Sequence, residues 1–277
     1  MRRKRRWRNV LYFLAGLFIA YWVGCYYLAV KYVHPSVRNE SGPPPGFQVF
    51  KQAWSSTNID TAKAVFVLVH GYGGNQSRWT DMATRLVKDG YGVVIPALPG
   101  HDDLAKETCG FGLKEADRVV TVVKEVRDLH HGNKPKIVLV GISMGGAACW
   151  LASEKDPSID AVVSEGCFAR LGPATDSWFN RKMPGASLLL RPVIWFASSM
   201  SGVSPGDVNP VEAAAKWKGK PALVIHGSED ELFPVQNAHD LANASGAELW
   251  IVPDATHAHC SDLASDEYLK RIEAFAH

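Results

Sequence analysis

Apolar residues fall into three patterns along the chain. From Val10 to Val30 they run for 21 residues without a charge. At a 1.5 Å rise this is roughly 31 Å of helix, enough to cross a bilayer core. From Phe47 onward short apolar runs alternate with longer amphipathic stretches. The strand candidates are 47–54 (FQVFKQAW), 64–70, 91–97, 136–141, 161–166, 222–227 and 248–253. The inner ones are continuous β-branched runs, the pattern of strands covered on both faces. Helical spacing fills the intervals at about 77–89, 113–130, 145–156, 235–245 and 263–276. Alternating strand and helix predicts an α/β domain with a mostly parallel sheet. The third pattern is residues 168–220, which have no strand character yet contain SWFNRKMPGASLLLRPVIWFASSM. A compact domain keeps so long a connection only as a lid or binding element. Its apolar residues predict a lipophilic substrate, because ligand sites are mostly apolar.

The first pattern predicts a membrane anchor at 10–30. Six of the first eight residues are Lys or Arg, so residues 1–9 form a basic segment expected to stay cytoplasmic. Tyr12, Tyr21, Trp22, Tyr26 and Tyr27 are amphipathic aromatics of the kind that settle near headgroups. A cleaved signal peptide has a shorter apolar core and a small-residue site, and YYLAVKYV offers neither. The expectation is a single-pass helix, a Pro-rich linker over 31–46, and a domain over 47–277 on the extracytoplasmic side.

Charge sharpens this division. The formal net charge is +2, but without the six N-terminal cations 24 Lys and Arg face 28 Asp and Glu. The folded part is therefore net acidic and has no reason to bind nucleic acid. The five cysteines, at 25, 109, 149, 167 and 260, show no CxxC and no metal-ligand spacing, and the chemistry read below needs no metal or organic cofactor.

Candidate chemistry centres on GISMGG, Gly141–Gly146, directly after KIVLV. A G-x-S-x-G segment between a strand and a helix presents its serine on a sharp turn, and the next backbone N–H is a ready oxyanion donor. Ser143 and Met144 fit those roles. A second match, GVSPG at Gly202–Gly206, does not: Pro205 has no N–H and no strand precedes it. A serine needs a base, and the base needs an orienting acid. Asp230, in the turn after strand 222–227, is the acid candidate, with Glu229 and Glu231 as neighbouring rivals. His257, just past the last strand, is the base candidate, with His259 as its rival. The loop HGYGGNQSRW follows strand 64–70. Its glycines let the backbone bend toward a reacting carbonyl, with the Tyr72 N–H as second oxyanion donor. His70 reads as a structural residue at the strand end. GYGGN lacks the GK[ST] of a phosphate loop.

Taken in order, HGYGG, CGFGLKEADRVV, GISMGG, HGSEDELFP and the histidine after the final strand resemble the α/β-hydrolase family, in its lysophospholipase and S33 aminopeptidase-like type. The resemblance covers roughly Phe47 to the C-terminus. It implies an α/β-hydrolase fold with a helical lid insertion at about 168–220, and a triad of Ser143, Asp230 and His257. It also implies an oxyanion hole of the Tyr72 and Met144 amides. One departure is LPGHDD, where Asp102 and Asp103 stand in place of the family's common glycine and small residue. The expected activity is serine hydrolysis of carboxylic esters. An S33-type peptidase and a catalytically silent binding module stand as alternatives.

Overall fold

The structure, a computed structural model, describes residues 2–35, 42–130, 134–181 and 183–277. Its strands are β1 (Phe47–Phe50), β2 (Ala53–Ser56), β3 (Ala64–Val69), β4 (Gly92–Pro96), β5 (Lys136–Ile142), β6 (Ala161–Glu165), β7 (Ala222–Gly227) and β8 (Glu248–Val252). They form one eight-stranded sheet in the order β1-β2-β4-β3-β5-β6-β7-β8. The pairings from β4 across to β8 are parallel, and β1 and β2 close one edge in antiparallel fashion. This is the α/β-hydrolase arrangement. From β3 the chain goes to β4 on one side and then to β5 on the other. The loops after β3 and β5 therefore flank the switch point where open α/β sheets bind ligands.

The stretch FQVFKQAW is two strands rather than one. Lys51 and Gln52 have φ of 46° and 62°, the left-handed pair of a two-residue hairpin, and Phe50 pairs with Ala53 across it. Such turns ordinarily announce themselves with Asn or Gly. Here neither is present, so the break is invisible in the pattern.

Alternation along the parallel strands feeds two cores, since successive side chains point to opposite faces. Val65, Val67, Val69, Leu139 and Val224 face α3 (Leu113–Leu129), α4 (Met144–Lys155), α8 (Pro210–Lys216) and α9 (Gln236–Ser245). Phe66, Leu68, Val138, Val140 and Ile225 face α2 (Thr80–Lys88) and α11 (Ser265–Glu273), a short helix α10 (Cys260–Leu263) leading into the latter. The 168–220 connection is helical, with α5 (Leu171–Asn180), α6 (Ala186–Leu189) and α7 (Arg191–Ser201) ahead of α8.

The N-terminal helix α1 runs Arg2–Val33, and its segment Arg5–Val33 is long and apolar enough to cross a membrane. Lys31–Val33, placed in the linker by the sequence, are its last turn. Residues 36–41 of that linker lie outside the described residues. Nor does α1 end apart from the domain. Cys25, Ala29 and Val33, spaced four apart on one face, are buried, and the Val33 carbonyl accepts a hydrogen bond from Cys109 N at 2.8 Å.

Candidate active site

Ser143 occupies the turn between β5 and α4 with φ 54° and ψ −118°, a backbone conformation that L-residues adopt only when their surroundings impose it. The glycines around it explain how. A Cβ on Gly141 would stand 2.3 Å from Gly145 O, and one on Gly145 would stand 2.3 Å from Val69 O. Strand, turn and helix approach so closely that only hydrogen fits. The Ser143 amide is anchored in turn, donating to Glu165 O at 2.7 Å.

His257 and Asp230 converge on this serine from the loops after β8 and β7. His257 Nε2 lies 3.0 Å from Ser143 Oγ, and its Nδ1 lies 2.7 Å from Asp230 Oδ2. The Asp230 carboxylate is fully buried and accepts from the Leu232 and Phe233 amides through Oδ1 at 2.9 Å each. Burial alone would raise its pKa, but the His257 hydrogen bond and charge, aided by the Phe233 amide, hold it below the ordinary value. The rivals sit elsewhere. Glu229 and Glu231 are exposed, and His259 turns outward to pair with Asp262 at 2.8 Å. Ser204 caps a short 3₁₀ turn at the surface, its amide held by Asp207.

The loop after β3 passes against the elbow, since a Cβ on Gly71 would lie 3.3 Å from that of Ser143. The Tyr72 amide belongs to this loop, and Met144 is the first residue of α4, whose leading N–H groups have no intrahelical acceptor. The loop is braced by His70, in the structural role expected for it, and by residues of the LPGHDD segment. Gly73 N donates to His101 Nε2 at 3.0 Å, while His101 Nδ1 donates to Pro99 O. His70 Nε2 donates to Asp102 Oδ2 at 2.8 Å, and Asp102 Oδ1 accepts from Gln76 N. All three side chains are buried. The LPGHDD departure thus has a structural use, tying the β3 loop to the β4 loop. Burial, followed by the nearby His70, lowers His101 to about 4 against the opposing pull of Pro99 and Asp102, so it stays a neutral acceptor.

Two further braces were missed. His226 is buried within reach of Asp230 Oδ2 (3.2 Å) and donates to Phe233 O, so it fixes the acid loop. Burial lowers its pKa despite that bond. Glu165 joins elbow to base loop: its carbonyl accepts from Ser143 N and its carboxyl from Cys260 N.

Above Ser143 is a cavity of about 440 Å³. Its apolar walls include Tyr32, Tyr72, Phe111, Phe168, Trp178 and Phe233. They come from six separate stretches of chain, and Tyr32 comes from α1 itself. Its ring lies 4.9 Å from Phe111 and 5.1 Å from Trp178, and its carbonyl accepts from the Tyr72 hydroxyl. Of the apolar residues in the 168–220 connection, Phe168, Leu171 and Trp178 line this cavity, whereas Leu188, Leu189 and Trp195 face outward. No acidic side chain lines the cavity among the described residues; Arg78 and Arg181 are its charged members. All five cysteines are buried and free, and no His, Cys, Asp and Glu cluster suited to a metal occurs among the described residues.

Comparison with known proteins agrees with this architecture. The sequence model of the alpha/beta hydrolase family matches residues 66–271. The chain is 24% identical over 226 residues to the dihydrolipoyllysine-residue acetyltransferase component of the acetoin cleaving system of Pseudomonas putida. That match takes in 69% of this chain but only 58% of the relative. It is 23% identical over 218 residues to a putative carboxymethylenebutenolidase of Yersinia pestis, covering 72% of this chain and 69% of the relative. An esterase of Pyrococcus furiosus superposes with a TM-score of 0.65 at 19% identity, covering 86% of this chain and 96% of the esterase.

Proposed function

Since this chain belongs to the alpha/beta hydrolase family, we propose that it is a membrane-anchored serine hydrolase that cleaves carboxylic esters. The observation that carries the reading is the relay from Ser143 Oγ through His257 to Asp230, at 3.0 and 2.7 Å, on the floor of an apolar cavity. Ser143 Oγ attacks the ester carbonyl as His257 Nε2 takes its proton. Asp230 holds the imidazole in the tautomer that leaves Nε2 free and balances its charge once protonated. The Tyr72 and Met144 amides receive the oxyanion, an interaction worth about 3 kcal/mol per donor. The alcohol departs with the proton from His257, and water activated by the same imidazole releases the acid. A free-amine peptide would call for an acidic or aromatic pocket; the described lining is aromatic, but its arginines, Arg78 and Arg181, repel an ammonium. The lining therefore favours esters over the aminopeptidase alternative.

The helix α1 is read as the anchor, with its basic end in the cytoplasm and residues 47–277 as the hydrolase domain outside. Protease added to spheroplasts should then degrade the domain, whereas full protection would reverse the orientation. For the chemistry, the full-length protein should react with a fluorophosphonate probe at Ser143. Failure of the wild-type chain to label would return it to a silent binding module.

A further inference from the structure

Outside α1, large exposed hydrophobic side chains are few and concentrated. Among the described residues they are Val49, Met183, Leu188, Leu189, Trp195 and Leu263, so four of the six lie between 183 and 195. Leu188 is 68% exposed and Trp195 62%. These residues cover no cavity and make no core. Within 183–206 the sole ionisable side chain is Arg191. A solvent-facing connection of this kind is ordinarily polar, so the tip formed by α6 and α7 needs another environment.

Its position names that environment. Phe196 of α7 packs edge-on against Trp22 and Tyr26 of α1, with ring centroids 5.9 and 5.4 Å apart. The Tyr21 hydroxyl donates to Leu189 O. The tip therefore sits beside the apolar run of α1, not beyond its end. Counting at 1.5 Å per residue from Arg8, the last N-terminal cation, Tyr21 and Tyr26 stand roughly 20 and 27 Å along the helix. With a hydrocarbon core of about 30 Å, both levels fall in the leaflet nearest the domain.

We infer that the α6–α7 tip is seated in that leaflet beside α1, with Leu188, Leu189 and Trp195 among the lipid chains, and that the enzyme draws amphiphilic esters from the membrane. The inference rests on the anchor reading of α1 and deepens the ester-hydrolase reading by naming the substrate's source. Val23, Tyr27 and Leu28 of α1, at the same levels of the helix, are exposed as well. The one cation, Arg191, has a stem long enough to lift its guanidinium toward headgroup phosphates. The aromatic residues Tyr21, Trp22, Tyr26, Tyr27 and Trp195 form the kind of belt found near membrane boundaries. Tyr32, six residues past Tyr26 and roughly 9 Å further along, is a wall of the cavity, so the same helix joins lipid to active site.

The test uses the full-length protein in phosphatidylcholine vesicles. Single cysteines at Leu188, Trp195, Leu14 and Lys270 are labelled with an environment-sensitive fluorophore. The parent, whose native cysteines are all buried, serves as the labelling blank. Lipids carrying an acyl-chain nitroxide should quench the Leu188 and Trp195 probes as strongly as the Leu14 probe on α1, and leave Lys270 bright. Quenching at Leu14 with Leu188 and Trp195 bright overturns the inference while sparing the anchor. Probes at the tip that are shielded from water but not quenched indicate a protein partner, such as a second copy, and also overturn it. No quenching at Leu14 or at the tip removes anchor and inference together. A second arm uses the L188D/W195D double variant. Hydrolysis of a long-chain ester embedded in vesicles should fall roughly tenfold or more, while turnover of a water-soluble short ester is unchanged. Equal turnover of the embedded ester by variant and parent would overturn supply from the leaflet. Absence of turnover of either ester by the parent would instead sink the hydrolase reading, which the quenching arm does not involve.

Discussion

The chain carries the pattern G-x-S-x-G twice, and the two copies differ in everything but letters. At Gly141–Gly145 the serine has φ 54°, its flanking glycines are pressed against backbone, and His257 lies 3.0 Å from the hydroxyl. At Gly202–Gly206 the serine is extended, exposed and engaged in capping a 3₁₀ turn, and a Cβ on Gly206 would meet nothing within 4 Å. The motif therefore has meaning only where a strand delivers the serine to a crowded rim. Spacing identifies two candidates, and the surrounding backbone favours one of them.

The largest effect that can break this comparison is on turnover. Ser143→Ala should lower kcat for a short ester by at least 10³-fold, since a nucleophile within a relay carries most of the acceleration above the oxyanion contribution. Ser204→Ala should leave kcat unchanged. Equal activity in the two variants would end the distinction. His257→Ala should fall with Ser143→Ala, and His259→Ala should stay with the parent, because His259 faces Asp262 instead.

Packing offers the next contrast. In Gly145→Ala the new methyl would lie 2.3 Å from Val69 O and 2.6 Å from His70 O, both backbone atoms that cannot swing aside. The expected cost is about 3 kcal/mol or more, from forced movement of β3 against α4. Gly206→Ala should change stability by less than about 0.5 kcal/mol, as surface substitutions do. Urea unfolding of both variants measures the difference. A mild effect at Gly145 would mean that the elbow tolerates more room than its geometry shows.

How legible these features are in the sequence follows from how local their causes are. The parallel strands are readable because each is an apolar run whose neighbours are helices. Ser143, Asp230 and His257 could be singled out as candidates because each lies in the loop just after a strand, among residues whose turn chemistry is local. The hairpin at Lys51–Gln52 is not readable, because its left-handed residues lack the usual Gly or Asn. The braces His101, Asp102, His226 and Glu165 are hidden for a different reason. His101, Asp102 and Glu165 act through partners distant along the chain, and His226, whose partners Asp230 and Phe233 are near, is set apart from a surface polar residue only by its burial. The cavity wall is the least legible part. Tyr32 reads as the trailing end of an anchor until Phe111 and Trp178 are seen against its ring.

The braces lend the elbow a pH sensitivity that the surface copy lacks. His101 ordinarily titrates near 6.5, whereas in the fold it is held to about 4 by burial, with His70 adding to the effect. Between those values the unfolded chain binds a proton that the folded chain excludes, so folding stability falls as pH drops from 6.5 toward 4. The contribution is on the order of 3 kcal/mol across that window. His101→Gln keeps an acceptor for Gly73 N without a titrating ring. Its stability, measured from pH 7 to pH 4, should fall less steeply than the parent's. Ser204→Ala should track the parent throughout. Parallel curves for His101→Gln and the parent would remove His101 from the acid response.

The smallest expected effect tests what the elbow's surroundings add to the chemistry. A serine on an open surface would hydrolyse esters without regard to acyl length. Ser143 instead opens into about 440 Å³ walled by aromatic rings. Each methylene that enters should gain about 0.8 kcal/mol, close to fourfold in kcat/KM, until the cavity is full. Across p-nitrophenyl esters from acetate upward, efficiency should therefore climb over the first few carbons and then turn down. Trp178→Ala removes one wall supplied by α5 and should move the maximum toward longer chains, with little change for acetate. Leu189→Ala, at an outward-facing site on α6, should leave the profile in detergent where it was. A profile flat in acyl length would show that the cavity does not hold the acyl group, and that the rim around Ser143 supplies catalysis without selection.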